Sequence, residues 1–183
     1  MKAFLPYLLA LVCSAATAQE APYTFSLLPL DSQTQQVVYS GAVPVANASK
    51  AQLFSRAQGW AAQKATFRKA APQRIGPEAG VVSTHITLKT GQEAYGCLVS
   101  VSVKDSLYHY QLHHVTYTKS DYARAGKYST GPTTTRIEKL VYTRPNKYRD
   151  KKLAEVDTQL KRLIYDLQQA MLDKPTDGLA TQL

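Results

Sequence analysis

Cysteine is almost absent from this 183-residue sequence, which holds Cys13 and Cys97 alone. Cys13 lies in the leader described below, so Cys97 has no partner in the rest of the chain. An internal disulfide is thereby excluded, and the core must carry the fold unaided. Cys97 stands in an alternating apolar stretch, the setting of a buried thiol rather than a reactive one. Long apolar runs are missing too. Only the first residues carry one, and it falls well short of the ~20 residues that a membrane-crossing helix needs. Catalytic signatures are also lacking. There is no G-x-S-x-G turn for a nucleophilic serine, no H-E-x-x-H helix for zinc, no cysteine pair and no glycine-rich phosphate loop. Acid is scarce relative to base: 13 Asp plus Glu stand against 22 Lys plus Arg, a net charge of +9. The acids are scattered and none falls in a cleft-forming motif, so general acid–base work has no evident pair. Asp157, set among apolar helix positions, reads as part of a solvated helix face. No enzymatic activity and no cofactor are expected.

What is present begins with MKAFLPYLLALVCSAATAQE. A single Lys2, an apolar run from Ala3 to Val12 and the small residues Ala16-Thr17-Ala18 form a signal peptide over residues 1–18, with cleavage after Ala18. Lipid anchoring at Cys13 is disfavoured, because Val12 precedes it where such signals carry Gly, Ala or Ser. The expected protein is exported to the periplasm or cell surface of a Gram-negative envelope, with no transmembrane segment after cleavage. Residues 19–175 are of a length to form one domain, and 176–183 read as a flexible tail. Export takes the excess positive charge away from nucleic acid, so no nucleic-acid partner is expected.

The pattern along the chain alternates strand and helix signals. Residues 23–30 and 37–45 are β-rich and flank the polar stretch Asp31 to Gln36, a hairpin with Pro44 placed as an edge strand tolerates it. Ser49-Lys50-Ala51-Gln52 is a capping box. Leu53, Phe54, Ala57, Trp60, Ala61 and Phe67 behind it recur at helical spacing, giving a helix over 49–68. Gly59 inside it costs about 1 kcal/mol against Ala and implies a close neighbour. Residues 69–80, with Pro72, Gly76, Pro77 and Gly80, read as loop. Strands follow at 81–90, 95–103 and 107–119, the last two joined by a tight turn at Lys104-Asp105-Ser106. Tyr108, Tyr110 and Leu112 share one parity while Val115 and Tyr117 take the other. A β-bulge near His113-His114 restores the phase. Residues 119–147 show little periodicity and read as a loop in which only 137–142 forms a short element. Leu153, Val156, Leu160, Leu163, Ile164, Leu167 and Met171 then line one face of a helix over 148–172. Asp150 is favourably placed in its first turn. Clustered antiparallel strands with two one-faced helices give an α+β two-layer sandwich.

Two groups of side chains invite a functional reading. His85, His109, His113 and His114 all fall in strands. Neighbours His113 and His114 point to opposite faces, and His109 and His113 are roughly 13 Å apart at strand rise, too far to share one metal. No metal site is expected. The second group is a basic, tyrosine-rich segment. Between Lys119 and Lys152 stand ten cations: Lys119, Arg124, Lys127, Arg136, Lys139, Arg144, Lys147, Arg149, Lys151 and Lys152. Only Asp121, Glu138 and Asp150 oppose them, and Tyr117, Tyr122, Tyr128, Tyr142 and Tyr148 are interleaved. Cations on aromatic spacing suit polyanions and sugar rings; the competing reading is a solvated loop. The candidate contact residues are Lys119, Arg124, Lys127, Tyr128, Arg136, Lys139, Tyr142 and Arg144.

The stretches LPLDSQTQQVVYSGAVPV (28–45), ASKAQLFSRAQGW (48–60), VSVSVKDSLYHYQLHHVTY (99–117) and IEKLVYTRPNKYRDKKLAEVDTQLKRLIYDLQQAM (137–171) together resemble domain of unknown function 4468, an envelope family described as having a TBP-like fold. The resemblance implies a curved antiparallel sheet of about five strands with two helices on one face, and it carries no assigned catalytic or ligand residues. Two positions depart from the family pattern, which usually has Gly where this chain has Gln35 and Ser106. The expected function is an exported, non-catalytic envelope protein that acts by binding an anionic glycan, a lipid surface or another envelope protein. The alternative is a structural or assembly subunit that docks through its sheet face; an unrecognised hydrolase is a third reading.

Overall fold

The computed structural model describes residues 28–65, 73–75, 80–90, 93–119 and 132–172, with backbone alone for 73–75. Their elements, in chain order, are β1 (Tyr39–Pro44), α1 (Lys50–Lys64), β2 (Gln73–Ile75), β3 (Val81–Thr90), β4 (Glu93–Lys104), β5 (Leu107–Lys119), β6 (Thr133–Arg136), α2 (Ile137–Val141) and α3 (Lys147–Leu172). The signal peptide, most of the first expected strand and the tail at 176–183 lie outside the described residues.

Five strands form one antiparallel sheet in the order β1-β5-β4-β3-β2. The sixth, β6, continues the same flank of β5 beyond β1, pairing Thr116–Lys119. The fold class is α+β, as the pattern of strands and helices implied. β1 is an edge strand, and Pro44, which has no N–H to give, ends it opposite Leu107.

The long strands form where the alternation is clean. Val99, Val101 and Val103 face Leu112, Tyr110 and Tyr108 across the β4–β5 ladder, and all but Tyr110 are buried. The register then slips between Gly96 and Leu98, so that Cys97 alone faces His114 and Val115. His114 takes φ 52° there. This bulge returns Val115 and Tyr117 to the core side, where Val115 is buried and Tyr117 stacks on Tyr95 at 5.7 Å.

α1 starts at the capping box: Ser49 Oγ accepts from Gln52 N and Gln52 Oε1 accepts from Ser49 N. Asp105, in the β4–β5 turn, accepts from Lys50 N at 2.8 Å, fixing the turn to the helix start. Leu53, Ala57, Trp60 and Ala61 of α1 and Leu153, Val156, Leu160, Leu163, Leu167 and Met171 of α3 are buried over one sheet face. Trp60 and Lys64 both reach Asp166 of α3, at 3.1 and 2.8 Å.

Several expectations change. The short element expected at 137–142 is α2, whereas β6 lies in a part of 119–147 expected to be loop. β2 falls in the expected loop 69–80; three residues are too few to show alternation. Of the expected hairpin of 23–30 with 37–45, the antiparallel Leu30–Val37 bridge and the bond from Val38 N to Pro29 O at 3.1 Å fall within the described residues, and 23–27 lie outside them. Among the described residues the expected close neighbour of Gly59 is absent: a Cβ there meets nothing within 4 Å. Asp157 is not simply solvated, for its carboxylate accepts from Tyr39 Oη at 2.7 Å and pairs with Lys161 at 2.8 Å.

Candidate functional site

The flank of the sheet built by β6, α2 and the start of α3 holds most of the described part of the basic segment. Lys119 ends β5 opposite Thr133, and Arg136 ends β6 opposite Thr116. Both are exposed. Three positions separate them along the ladder, so they project from opposite faces of the sheet. Lys139 on α2, Arg144 in the connection and Lys147 and Lys151 on α3 are exposed as well. Arg124, Lys127 and Tyr128 lie outside the described residues.

The acids of this flank are turned to internal tasks. Glu138 Oε1 accepts from the backbone N–H of Val37 at 3.0 Å. Asp150 accepts from Arg149 at 3.3 Å. Between Arg136 and Lys151, the exposed charged residues are therefore five cations and one acid, Asp150, which Arg149 already engages.

Three residues of the segment prove structural. Arg149 is 1 % exposed. Its Nε donates to Leu140 O at 3.1 Å and its Nη2 to Val141 O at 2.7 Å, so the guanidinium closes the carbonyl end of α2. Tyr142 hydrogen-bonds through its hydroxyl to Gln35, with the backbone oxygen at 3.0 Å and Oε1 at 3.1 Å, pinning the 31–36 turn rather than offering a free ring. Lys152 forms a half-buried ion pair with Glu93 and lies 3.4 Å from Glu155.

That last group is a polar cluster that sequence spacing could not show. Tyr117 donates to Glu93 at 2.8 Å, Tyr95 reaches the same carboxylate at 3.4 Å, and Tyr148 lies 3.4 Å from Tyr117 Oη. Burial pushes the Glu93 carboxyl up, but the bonds from Lys152 and Tyr117 outweigh it and hold the group below the usual carboxylate range. Burial works against the Lys152 charge as well, and Glu93 reverses it, so the ammonium stays charged to higher pH than usual. Tyr117 is raised by burial and by its partners Tyr148 and Glu93. With Glu93 and Lys152 paired to each other, the cluster braces α3 against the sheet end.

The face of the sheet away from the helices has a different character, and none of the described elements covers it. Ser83, Ser100, Gln111 and Ser40 are aligned across four strands, followed on one side by Ser102 and His109 and on the other by His85, Leu98 and His113. Beyond these come Thr87, Gly96, Thr116 and Arg136. A depression of about 340 Å³ opens among Ser40, Ser100, Ser102, His109 and Gln111. The bulge brings the His113 and His114 rings within 4.6 Å, where simple alternation had put them on opposite faces. Burial, then the neighbouring His114, lowers the His113 pKa. Among the described residues no three His, Cys, Asp or Glu side chains are grouped as a metal would require, and no helix is long and apolar enough to cross a membrane. Cys97 is fully buried, its thiol pushed up to about 12 by desolvation.

An open antiparallel sheet with its helices on one side and a polar far face defines a TBP-like α+β protein. Two solved structures share this fold. One is a TBP-like protein from Parabacteroides distasonis, with a TM-score of 0.62 and 15% identity, the match covering 78% of this chain and 96% of that one. The other is a DUF4468 family protein from Bacteroides ovatus, with a TM-score of 0.55 and 13% identity, covering 81% of this chain and 92% of that one. Both agree with the resemblance read from the sequence, and at such identities they speak to fold alone. No family model and no curated protein matches the chain.

Proposed function

We propose that this chain is an exported, non-catalytic protein of the cell envelope that binds an anionic partner through the flank formed by β6, α2 and the first turns of α3. The single observation that carries the reading is the orientation of charge there. Arg136, Lys139, Arg144, Lys147 and Lys151 face solvent, while Glu138 is bonded to Val37 and Asp150 to Arg149. A surface whose cations point outward and whose acids are engaged internally attracts polyanions, the more so because the whole chain is +9. The signal-peptide pattern of the first 18 residues supports an envelope setting. The alternative of docking through an apolar sheet face loses ground, because the described part of the open face is mostly Ser, Thr, His, Gln, Lys and Arg, with Ala42, Val81, Ala94, Leu98 and Leu107 set among them.

Co-sedimentation with the envelope fraction of the native host tests the reading. Wild type is expected to pellet at low salt and to be released as salt rises, since exposed charge pairs are screened. Lys139→Glu with Arg144→Glu is expected to stay in the supernatant at all salt concentrations. Equal pelleting of the two proteins would remove the flank from consideration.

A further inference from the structure

We propose that the open sheet face is a binding site for an acidic polysaccharide, whose hydroxyls sit in the depression at Ser40, Ser100, Ser102, His109 and Gln111 and whose acidic groups reach Arg136. The inference rests on the flank reading above and names its ligand class. Three features of the face carry it.

The first is the chemistry of the depression. Three hydroxyls, one imidazole and one carboxamide line it, together with Gly41 and Tyr110. Each of these side chains can both donate and accept a hydrogen bond, which is what a ring bearing several hydroxyls demands. The groups repeat at the inter-strand spacing of about 4.8 Å, so a chain laid across the strands meets a polar group at each step.

The second is the sign of the charge. Among the described residues no Asp or Glu stands on this face, whereas Lys89, Lys104 and Arg136 do, along with His85, His109 and His113. An acidic ligand therefore meets no carboxylate anywhere on its path. The third is continuity. Arg136 lies on this face at its border with the cationic flank, opposite Thr116. Gln111 to Thr116 spans five residues of β5, about 16 Å, a length that a short oligosaccharide bridges. A lipid surface fits less well: a headgroup plane does not enter a depression, and among the described residues the face offers no exposed large apolar side chain to insert.

The test is titration calorimetry of the purified chain with an oligogalacturonate, a heparin-derived octasaccharide, a neutral malto-oligosaccharide and phosphatidylglycerol vesicles. The two acidic glycans are expected to bind and the neutral one to bind far more weakly. Ser100→Val with Gln111→Leu keeps strand-compatible side chains and removes two partners; about ten-fold weaker glycan binding is expected. If that variant binds the acidic glycans as wild type does while Lys139→Glu/Arg144→Glu fails, the flank reading stands and the face is excluded. Binding of vesicles but not glycans makes the ligand a lipid and overturns the inference, again leaving the flank reading intact. Sedimentation that shows a dimer for wild type and a monomer for the face variant makes the face a self-interface and overturns it as well. No binding of any probe refutes both.

Discussion

Replacing Arg149 with Met removes a guanidinium from the interior while keeping much of its volume, and the structure sets what that change should cost. Two bonds to backbone are lost, to Leu140 O at 3.1 Å and to Val141 O at 2.7 Å. Leu140 O retains a second donor in the N–H of Thr143 at 3.2 Å. Val141 O has no such reserve in the α2 turn and is left without a charged donor at the helix end. Hydrogen bonds to a charged group are worth roughly 1.5–3 kcal/mol each. Part of this is offset, because Met spares the chain the desolvation of a buried charge. The net expected loss is about 2–4 kcal/mol, and for a chain of this size that lowers Tm by roughly 4–16 °C. Urea unfolding followed by circular dichroism measures it directly. Arg149→Lys, which keeps the charge but not the two-pronged donor, should recover only part of the loss. A Met variant within about 0.5 kcal/mol of wild type would refute the assignment of Arg149 as the clamp between α2 and α3. It would return the residue to the pool of surface cations.

Other outcomes follow from the same geometry. Glu93 has its pKa lowered in the folded chain, so its contribution is present above the unfolded carboxylate pKa and is lost as pH falls through the folded value. Wild type should lose stability steeply on acidification below about pH 4. Glu93→Gln should be destabilised by about 2 kcal/mol at pH 7 with a flatter acid limb, and an unchanged limb in acid titrations of both proteins would contradict the cluster's role. Gly59→Ala places a methyl in open space on an exposed helix position and should stabilise by about 0.5–1 kcal/mol in the same urea assay; destabilisation would mean that an unseen neighbour needs the space. Ser106 holds φ 57° in the β4–β5 turn, so Ser106→Gly should raise Tm by relieving backbone strain of about 1 kcal/mol. A lowered Tm would show that the Ser side chain matters more than the backbone.

Much of the fold was legible because its signals are local. The Val99–Val103 alternation, the capping box at Ser49 and the seven apolar positions of α3 each announce an element without reference to the rest of the chain. The bulge was legible as well, since Leu112 and Val115 cannot both face the core on an uninterrupted strand. Gln35 and Ser106, the two positions at which the resemblance implied glycine, both sit at positive φ, 56° and 57°, a region that glycine enters at little cost. What stayed hidden depends on partners remote in sequence. β6 is a Thr-rich run whose strand character exists only alongside Thr116–Lys119. Counting charge placed Arg149 and Lys152 with the surface cations, whereas the carbonyl end of α2 and the carboxylate of Glu93 draw them inside. Tyr142, read as a stacking face, is tied to Gln35, more than a hundred residues earlier in the chain. The polar open face was missed because its serines and histidines are spread over four strands that only the folded register aligns.

Affinity for a polyanion measured against salt tests the central claim most directly. The probe is immobilised heparin, and the quantity is the salt concentration at which each protein elutes. Wild type is expected to elute late and Lys139→Glu/Arg144→Glu near the void. A control with the same change in net charge on the outer face of α3, Lys161→Glu/Arg162→Glu, should elute close to wild type. If the two double variants elute together, net charge alone governs retention and the flank is not a binding surface.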